Sequence, residues 1–169
     1  MAASIAALTT IHRASTSIRM HLEASALRAY DLSWTAFVVM VILQSAGEAQ
    51  TSHVAAQAGI SKSTLTGVVK TLVHRGLLRR EPHPIDRRLV LVELTAAGGE
   101  MLHEVSSKYS AEAEFVTSTL SPSETAVLTG LLARVTEHLN EAGEKRRALL
   151  HQDMTLPRRR SGRRAKQDA

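Results

Sequence analysis

The sequence predicts a mainly α-helical fold that carries one small β-hairpin. Apolar residues return at three- and four-residue spacing over much of the 169-residue chain, which is typical of amphipathic helices. Near the middle, two helical segments are joined by a short turn that contains glycine. Shortly after them, segments 77–81 and 88–94 have the composition of two strands and enclose a proline-containing tip. We therefore expect about six helices and one hairpin.

The composition predicts one domain with a packed core, because 44% of the residues are apolar and 22% are charged. No apolar run approaches the roughly 20 residues that a membrane span needs. The first 30 residues also lack the pattern of a secretory signal. The absence of cysteine excludes disulfides and thiolate metal ligands. We expect a cytoplasmic protein that does not contact membranes.

The net charge of +5 is unevenly distributed along the chain. Residues 145–169 hold a local charge of +7, which leaves residues 1–144 at −2. Within that acidic body, residues 62–88 contain seven Lys or Arg against two Asp or Glu, a local charge of +5. The central segment therefore has the charge expected of a surface that binds nucleic acid.

Long helices are predicted on both sides of this segment. The helix over residues 5–28 has an apolar stripe formed by Leu8, Ile11, Ile18 and Leu22. The final helix starts at a capping box of Ser121, Pro122 and Glu124, runs to about Arg147, and has its own stripe. That stripe consists of Val127, Leu128, Leu131, Leu132, Val135 and Leu139. We expect residues 5–28 and 99–147 to form a two-fold dimer interface.

Two more helices are predicted between these elements. Either Asp31 or Ser33 can cap the helix "LSWTAFVVMVIL", which is apolar on nearly every side and should end at Gly47. Thr95 should cap a helix that runs to about Leu120. The expected buried side of that helix comprises Met101, Leu102, Val105, Phe115 and Val116.

The central helices form a helix-turn-helix pattern. A short helix from Ser52 to Ala58, the turn "GIS" and a helix from Lys62 to His74 closed by Gly76 follow one another. Leu65, Val68 or Val69, and Leu72 recur at the spacing that packs inward. The outward residues with the cap are Ser61, Lys62, Ser63, Thr64, Thr66, Gly67, Lys70 and Thr71. Hydroxyls and lysines suit the major groove of DNA, although an ordinary solvated helix carries the same residue types.

The hairpin "EPHPIDRRLVLVEL", residues 81–94, favours the DNA interpretation. Pro82 and Pro84 restrict the tip, and Asp86 can accept hydrogen bonds from a neighbouring guanidinium. Arg88 would then be held outward, as a planar cation suited to a narrow minor groove. We expect Arg87 to contact phosphate instead. The alternative is an exposed Asp–Arg pair with no partner.

Residues 53–98 resemble the winged helix-turn-helix core of the MarR (multiple antibiotic resistance regulator) family. The matching residues are Val54-Ala55, Leu72, Gly76-Leu77, Arg80, Asp86, Arg88, Leu94-Thr95 and Gly98. The resemblance is sharp over about residues 50–98 and extends in helix order over residues 5–145. His53 and Val54 depart from the family pattern, and we interpret both as tolerated variation.

The resemblance implies an obligate homodimer that binds a pseudo-palindromic operator in double-stranded DNA. The helix over Lys62–His74 of each protomer would enter one of two successive major grooves. Arg88 of each protomer would enter the flanking minor groove. It also implies a small aromatic or lipophilic effector, for which His12, Arg19, Trp34 and Phe37 are the candidate residues. Trp34 and Phe37 suit a hydrophobic core equally well, and Arg19 suits a solvated surface.

The predicted function is sequence-specific transcriptional regulation, by a homodimeric repressor that an effector relieves. The alternative is an architectural DNA-binding protein with little sequence preference. We predict no enzyme, cofactor or metal site, because no catalytic motif occurs and the histidines show no ligand spacing. The domain should span residues 1–147. Residues 148–169 should form a disordered basic tail that either contacts phosphate or only aids solubility.

Overall fold

The computed structural model describes residues 1–153 of the chain. They fall into two units, Met1–Ser118 and the residues from Thr119 onward, which are described separately. The first unit contains five α-helices and three short strands, and the described part of the second is one helix. The elements are α1 (Ala2–Leu22), α2 (Trp34–Ala46), β1 (Ala49–Gln50), α3 (Thr51–Gln57), α4 (Lys62–His74), β2 (Leu78–Pro82), β3 (Val90–Leu94), α5 (Ala96–Thr117) and α6 (Pro122–Asp153).

The connection between α1 and α2 differs from the predicted helix over residues 5–28. After Leu22 the chain forms a π-helical turn, Glu23–Leu27, and then a 3₁₀ turn, Arg28–Tyr30. Asp31 follows with a left-handed φ of 51°, so it does not cap α2. Ser33 is the cap and accepts from the Ala36 amide at 3.2 Å. Glu23 adds a second acceptor, because its Oε1 lies 2.8 Å from the Trp34 amide.

The core lies where α2 meets α4, α5 and the sheet. Met40 and Leu43 of α2, Leu72 of α4, Val92 of β3 and Val105 of α5 are all buried in it. The prediction that α2 is apolar and buried on nearly every side is only partly correct, since Val41 is 40% exposed. Among the described residues no single helix is long and apolar enough to cross a membrane; only Ala2–Tyr30 with Trp34–Ala46, bent by 74°, passes that test as a pair.

The sheet has the strand order β1-β3-β2, and both pairings are antiparallel. The predicted hairpin is present as β2 and β3, with Leu78 opposite Leu94 and Pro82 opposite Val90. The sequence did not predict β1, because two residues are too few to show an alternating pattern. Leu91 and Val92 are both buried although they lie on opposite faces, so β3 is covered from two sides.

The start of α5 lies close to the start of the hairpin formed by β2 and β3, which we call the wing. Thr95 caps α5 as predicted, since its Oγ1 accepts from the Gly98 amide at 3.1 Å. The same hydroxyl donates to the Gly76 carbonyl at 2.7 Å, and the Thr95 amide donates to the Leu77 carbonyl at 3.1 Å. A Cβ at Gly98 would lie 2.2 Å from the Leu77 carbonyl oxygen. Only glycine therefore permits this approach.

The far end of α5 corrects two expectations. The helix ends at Thr117 rather than about Leu120. Phe115 is 65% exposed rather than buried, while Leu102 and Val105 are buried as predicted. Phe115 lies ten residues beyond Val105, where its ring is 5.4 Å from that of His21 at the end of α1.

In the second unit, α6 begins with the predicted capping box. The Ser121 Oγ accepts from the Glu124 amide at 3.3 Å, and the Ser121 amide donates to the Glu124 carboxylate at 2.8 Å. The Ser121 hydroxyl also donates to the Glu124 carboxylate at 2.7 Å, and the two hydrogen bonds that this carboxylate accepts from Ser121 lower the pKa of Glu124. The helix continues to Asp153, so residues 148–153, predicted to belong to the tail, are helical. The remainder of the predicted tail, residues 154–169, lies outside the described residues.

Gly98→Ala should lower the free energy of unfolding by about 1–3 kcal/mol, because the new methyl group would overlap a backbone carbonyl. Gly99→Ala is the matched control, since nothing lies within 4 Å of a Cβ at that position. Its stability should stay the same or rise by up to about 1 kcal/mol from helix propensity. Urea unfolding measures both values, and equal stabilities would contradict the close approach at Gly98.

Candidate nucleic-acid interface

The first turn of α4 presents a cluster of hydroxyl groups. Ser61 is the N-cap, and its Oγ accepts from the Thr64 amide at 3.0 Å. The same Oγ lies 2.8 Å from the hydroxyl oxygens of both Ser63 and Thr64. All three side chains are exposed. Free amides and the positive end of the helix dipole make this end suitable for a phosphate group.

Two threonines further along α4 already use their hydroxyl protons. Thr66 donates to the Lys62 carbonyl at 2.8 Å, and Thr71 donates to the Gly67 carbonyl at 3.1 Å. Each hydroxyl oxygen keeps free lone pairs, and both side chains are exposed. Both threonines can therefore accept hydrogen bonds from a partner. Adenine and cytosine expose amino donors in the major groove, which are suitable partners for such acceptors.

The outward face of α4 is set by the burial of its other side. Leu65, Val69 and Leu72 are buried in the core, whereas Val68 is only partly buried. This leaves the predicted outward residues exposed, including both lysines, Lys62 and Lys70. The helix is therefore anchored by apolar packing and presents hydroxyls and cations to solvent.

A groove of about 590 Å³ separates α4 from the wing. Its sides come from α4, from the hairpin and from the start of α3. None of the described residues that line it is acidic. The lining cations are Lys62, Lys70, Arg80 and Arg88, and the apolar lining consists of Leu65, Val69, Val73, Leu89 and Val90.

The pairing of β2 with β3 separates two neighbouring arginines. Because side chains alternate along a strand, Arg79 and Arg80 lie on opposite faces of the sheet. Arg80 lines the groove, whereas Arg79 forms ion pairs with Glu93 and with Glu81. The hydrogen bond that Arg79 donates to the Glu93 carboxylate and the negative charge of Glu81 raise the pKa of Arg79. Arg79 is thus locally neutralised, and Arg80 is not paired with any described carboxylate.

The wing tip, residues 83–89, is closed by short-range hydrogen bonds. The His83 amide donates to the Leu89 carbonyl, and the Leu89 amide donates to the Asp86 carbonyl, both at 2.9 Å. Arg87 and Arg88 are exposed, with Arg88 beside the groove. The tip is therefore an ordered turn that displays two cations.

The expected contact between Asp86 and a guanidinium is absent from the described residues. The Asp86 Oδ1 instead accepts from the backbone amide of Arg88 at 3.0 Å. The backbone amide two residues along the chain lies close to the Asp86 carboxylate in the folded turn. Pairing with an arginine side chain would cost more, because that long side chain loses more rotamer entropy. Asp86 orders the backbone beneath Arg88 and leaves its side chain unpaired by that carboxylate.

Comparison with known proteins identifies the family. The model of the MarR family matches residues 32–90. The uncharacterized HTH-type transcriptional regulator YwaE of Bacillus subtilis strain 168 is 33% identical over 138 residues, covering 81% of this chain and 80% of YwaE. This chain belongs to the MarR family. It is accordingly a DNA-binding transcriptional regulator and not an enzyme.

Solved MarR structures share the fold. A MarR mutant from E. coli in complex with operator DNA has a TM-score of 0.70 and 25% identity, covering 75% of this chain and 91% of that one. BpsR of Bordetella bronchiseptica, whose DNA binding is regulated by 6-hydroxynicotinic acid, has a TM-score of 0.70 and 26% identity. The match with BpsR covers 76% of this chain and 96% of that one.

The candidate effector residues of this MarR-family chain are only partly brought together. Trp34 and Phe37 lie 6.0 Å apart between ring centroids, and the ring of Tyr109 lies 4.7 Å from that of Phe37. His12 and Arg19 occupy exposed positions on α1. No ion pair or side-chain hydrogen bond among the described residues joins either of them to the aromatic cluster.

The sequence alone assigned no role in a site to three residues of interest in this MarR-family chain. Arg80 lines the groove, and the alternation along β2 could have distinguished it from Arg79. Tyr109 follows Leu102 and Val105 at helical spacing, which could have placed it on the buried side of α5. The contacts of His83 had no such signal. Within the described residues, no three His, Asp or Glu side chains form a group that could hold a metal ion.

Proposed function

We propose that the chain is a homodimeric repressor that binds a pseudo-palindromic operator, with α4 in the major groove and the wing in the adjacent minor groove. The observation that carries this proposal is the groove between α4 and the wing, which four cations line without any described acidic residue. Phosphate contacts of this kind position a protein on DNA, and base contacts then supply specificity.

On the helix, the proposed roles follow from the hydrogen bonds already present. Ser61, Ser63 and Thr64 surround the helix N-terminus and suit phosphate. Thr66 offers an acceptor to a base amino group. Lys62 and Lys70, which both lie on the α4 side of the groove, would neutralise phosphates of the DNA backbone. Specificity should therefore depend more on the threonine than on the lysines.

On the wing, Arg88 would enter the minor groove and Arg87 would contact the neighbouring phosphate. The weakly hydrated guanidinium of arginine suits the negative potential of a narrow minor groove. The closed turn over residues 83–89 supports this assignment, because it presents Arg88 on ordered backbone. Asp86 would serve the backbone of the tip and would not contact the DNA.

The dimer proposal rests on apolar surface in each unit considered alone. In α1, Ile5, Leu8, Ile11 and Ile18 are between 38% and 65% exposed. In α6, the six predicted stripe residues are between 38% and 61% exposed. Apolar stripes at helical spacing are suited to packing against helices of a second copy.

A dimer bound to an operator would block transcription at that site, so we propose that the chain represses transcription. We also propose that it is located in the cytoplasm, where the DNA is found.

The competing proposal is an architectural protein that coats DNA without sequence preference. We expect the chain to bind the pseudo-palindrome from its own promoter at least about 10³-fold more tightly than random duplex, at about 150 mM salt. Two chains should bind each specific duplex. Fluorescence anisotropy gives the affinities, and light scattering of the complex gives the stoichiometry. An affinity ratio near one would favour the architectural role.

We further propose that an aromatic acid relieves repression by binding beside Trp34, Phe37 and Tyr109. The assembled aromatic cluster supports this, as does the regulation of BpsR, a protein of the same fold, by 6-hydroxynicotinic acid. Such a ligand lowers DNA affinity only by its preference for dimers that do not fit the operator.

The chain contains a single tryptophan, so Trp34 fluorescence reports directly on this cluster. Titration with a panel of hydroxylated aromatic acids, including 6-hydroxynicotinic acid, should give a saturable change with one member. The same acid should weaken operator binding by at least about fivefold. Acetate at equal ionic strength is the control. A saturable fluorescence change with unaltered DNA affinity would contradict the proposed response.

A further inference from the structure

His83 lies at the base of the wing tip, where its side chain contacts the backbone of the turn. Its Nδ1 accepts hydrogen bonds from the amides of Ile85 and Asp86, both at 3.2 Å. Nδ1 has one lone pair, which the two amides share, so this arrangement requires an Nδ1 atom that carries no proton. This arrangement resembles the turns that Asn and Asp side chains close through a γ-linked oxygen.

The tip has few other sources of order. Pro84 has no amide hydrogen, and the side chain of Ile85 is 90% exposed, so no apolar packing holds it. Of the amides at residues 85–88, two donate to His83 and that of Arg88 donates to Asp86. Apart from the two backbone hydrogen bonds that Leu89 makes with His83 and Asp86, the conformation of the tip therefore depends on two side chains, those of His83 and Asp86.

We propose that His83 is a positioning residue for the wing, which holds the tip in the conformation that presents Arg88 to the minor groove. This inference rests on the proposed DNA-binding function of the wing. His83 acts through the turn and need not contact DNA. Without it the tip samples more conformations, and the conformational entropy lost on binding is correspondingly larger.

The first test needs no DNA. Amide hydrogen exchange, measured by NMR on the whole chain, should become faster at Ile85 and Asp86 in His83→Ala. His83→Asn should retain slow exchange, because the asparagine oxygen is attached to Cγ as Nδ1 is. His103→Ala, at an exposed position on α5, is the control and should leave both amides unchanged. Unchanged exchange in His83→Ala would overturn the proposed hydrogen bonds, whatever the chain binds.

The second test measures binding to the specific promoter duplex. His83→Ala should weaken binding about tenfold, the effect expected from losing two modest hydrogen bonds. His83→Asn should bind within about twofold of the wild-type chain. Binding by His83→Asn as weak as that of His83→Ala would overturn the positioning role, since the acceptor would then not be what matters.

A double-mutant cycle with Arg88→Ala distinguishes positioning from general destabilisation. If His83 acts by presenting Arg88, then His83→Ala should change affinity by less than about twofold in the Arg88→Ala background. A full tenfold loss in that background would overturn the proposal. If the wild-type chain does not prefer the promoter duplex, the proposed function fails, and the exchange measurement still decides whether His83 orders the tip.

Discussion

The antiparallel register of β2 against β3 is the constraint on which the candidate interface depends. It places Arg79 opposite Glu93 on one face, and Arg80 opposite Val92 on the other. The first face carries ion pairs, and the second faces the groove beside α4. A shift of one residue would exchange these faces and place acidic residues toward the groove beside α4. The pairing of β1 with β3 and the contact of Gly98 with Leu77 both support this register.

Rigid elements and short-range hydrogen bonds order the interface before any partner binds. The core fixes α4 through its apolar side, and Ser61 orders its first turn. The wing tip is closed by its own backbone and by two side chains, with little tertiary support. Preorganisation of this kind reduces the ordering entropy lost on binding. The tip is therefore where single substitutions should affect recognition without unfolding the domain.

Features specified by local chemistry were predictable from the sequence. The bounds of α4, the cap at Thr95 and the capping box at Ser121 agree with the structure, because each depends on residues within one helical turn. Features that depend on tertiary contacts were not predictable. The strand β1 requires its pairing with β3. Alternation along β2 already places Arg79 and Arg80 on opposite faces, but which of the two faces the groove depends on the sheet register. Asp86 was assigned a guanidinium partner, but a nearby backbone amide binds it instead.

The central claim is that the groove between α4 and the wing contacts DNA, and a comparison of two adjacent arginines tests it most directly. Affinity for the promoter duplex should be measured for Arg80→Ala and Arg79→Ala at the same salt concentration. We expect Arg80→Ala to weaken binding by about 1 kcal/mol or more, because its cation lines the groove. Arg79→Ala should have little effect, because Glu81 and Glu93 already pair with that cation. Equal losses, or a larger loss for Arg79→Ala, would contradict the account.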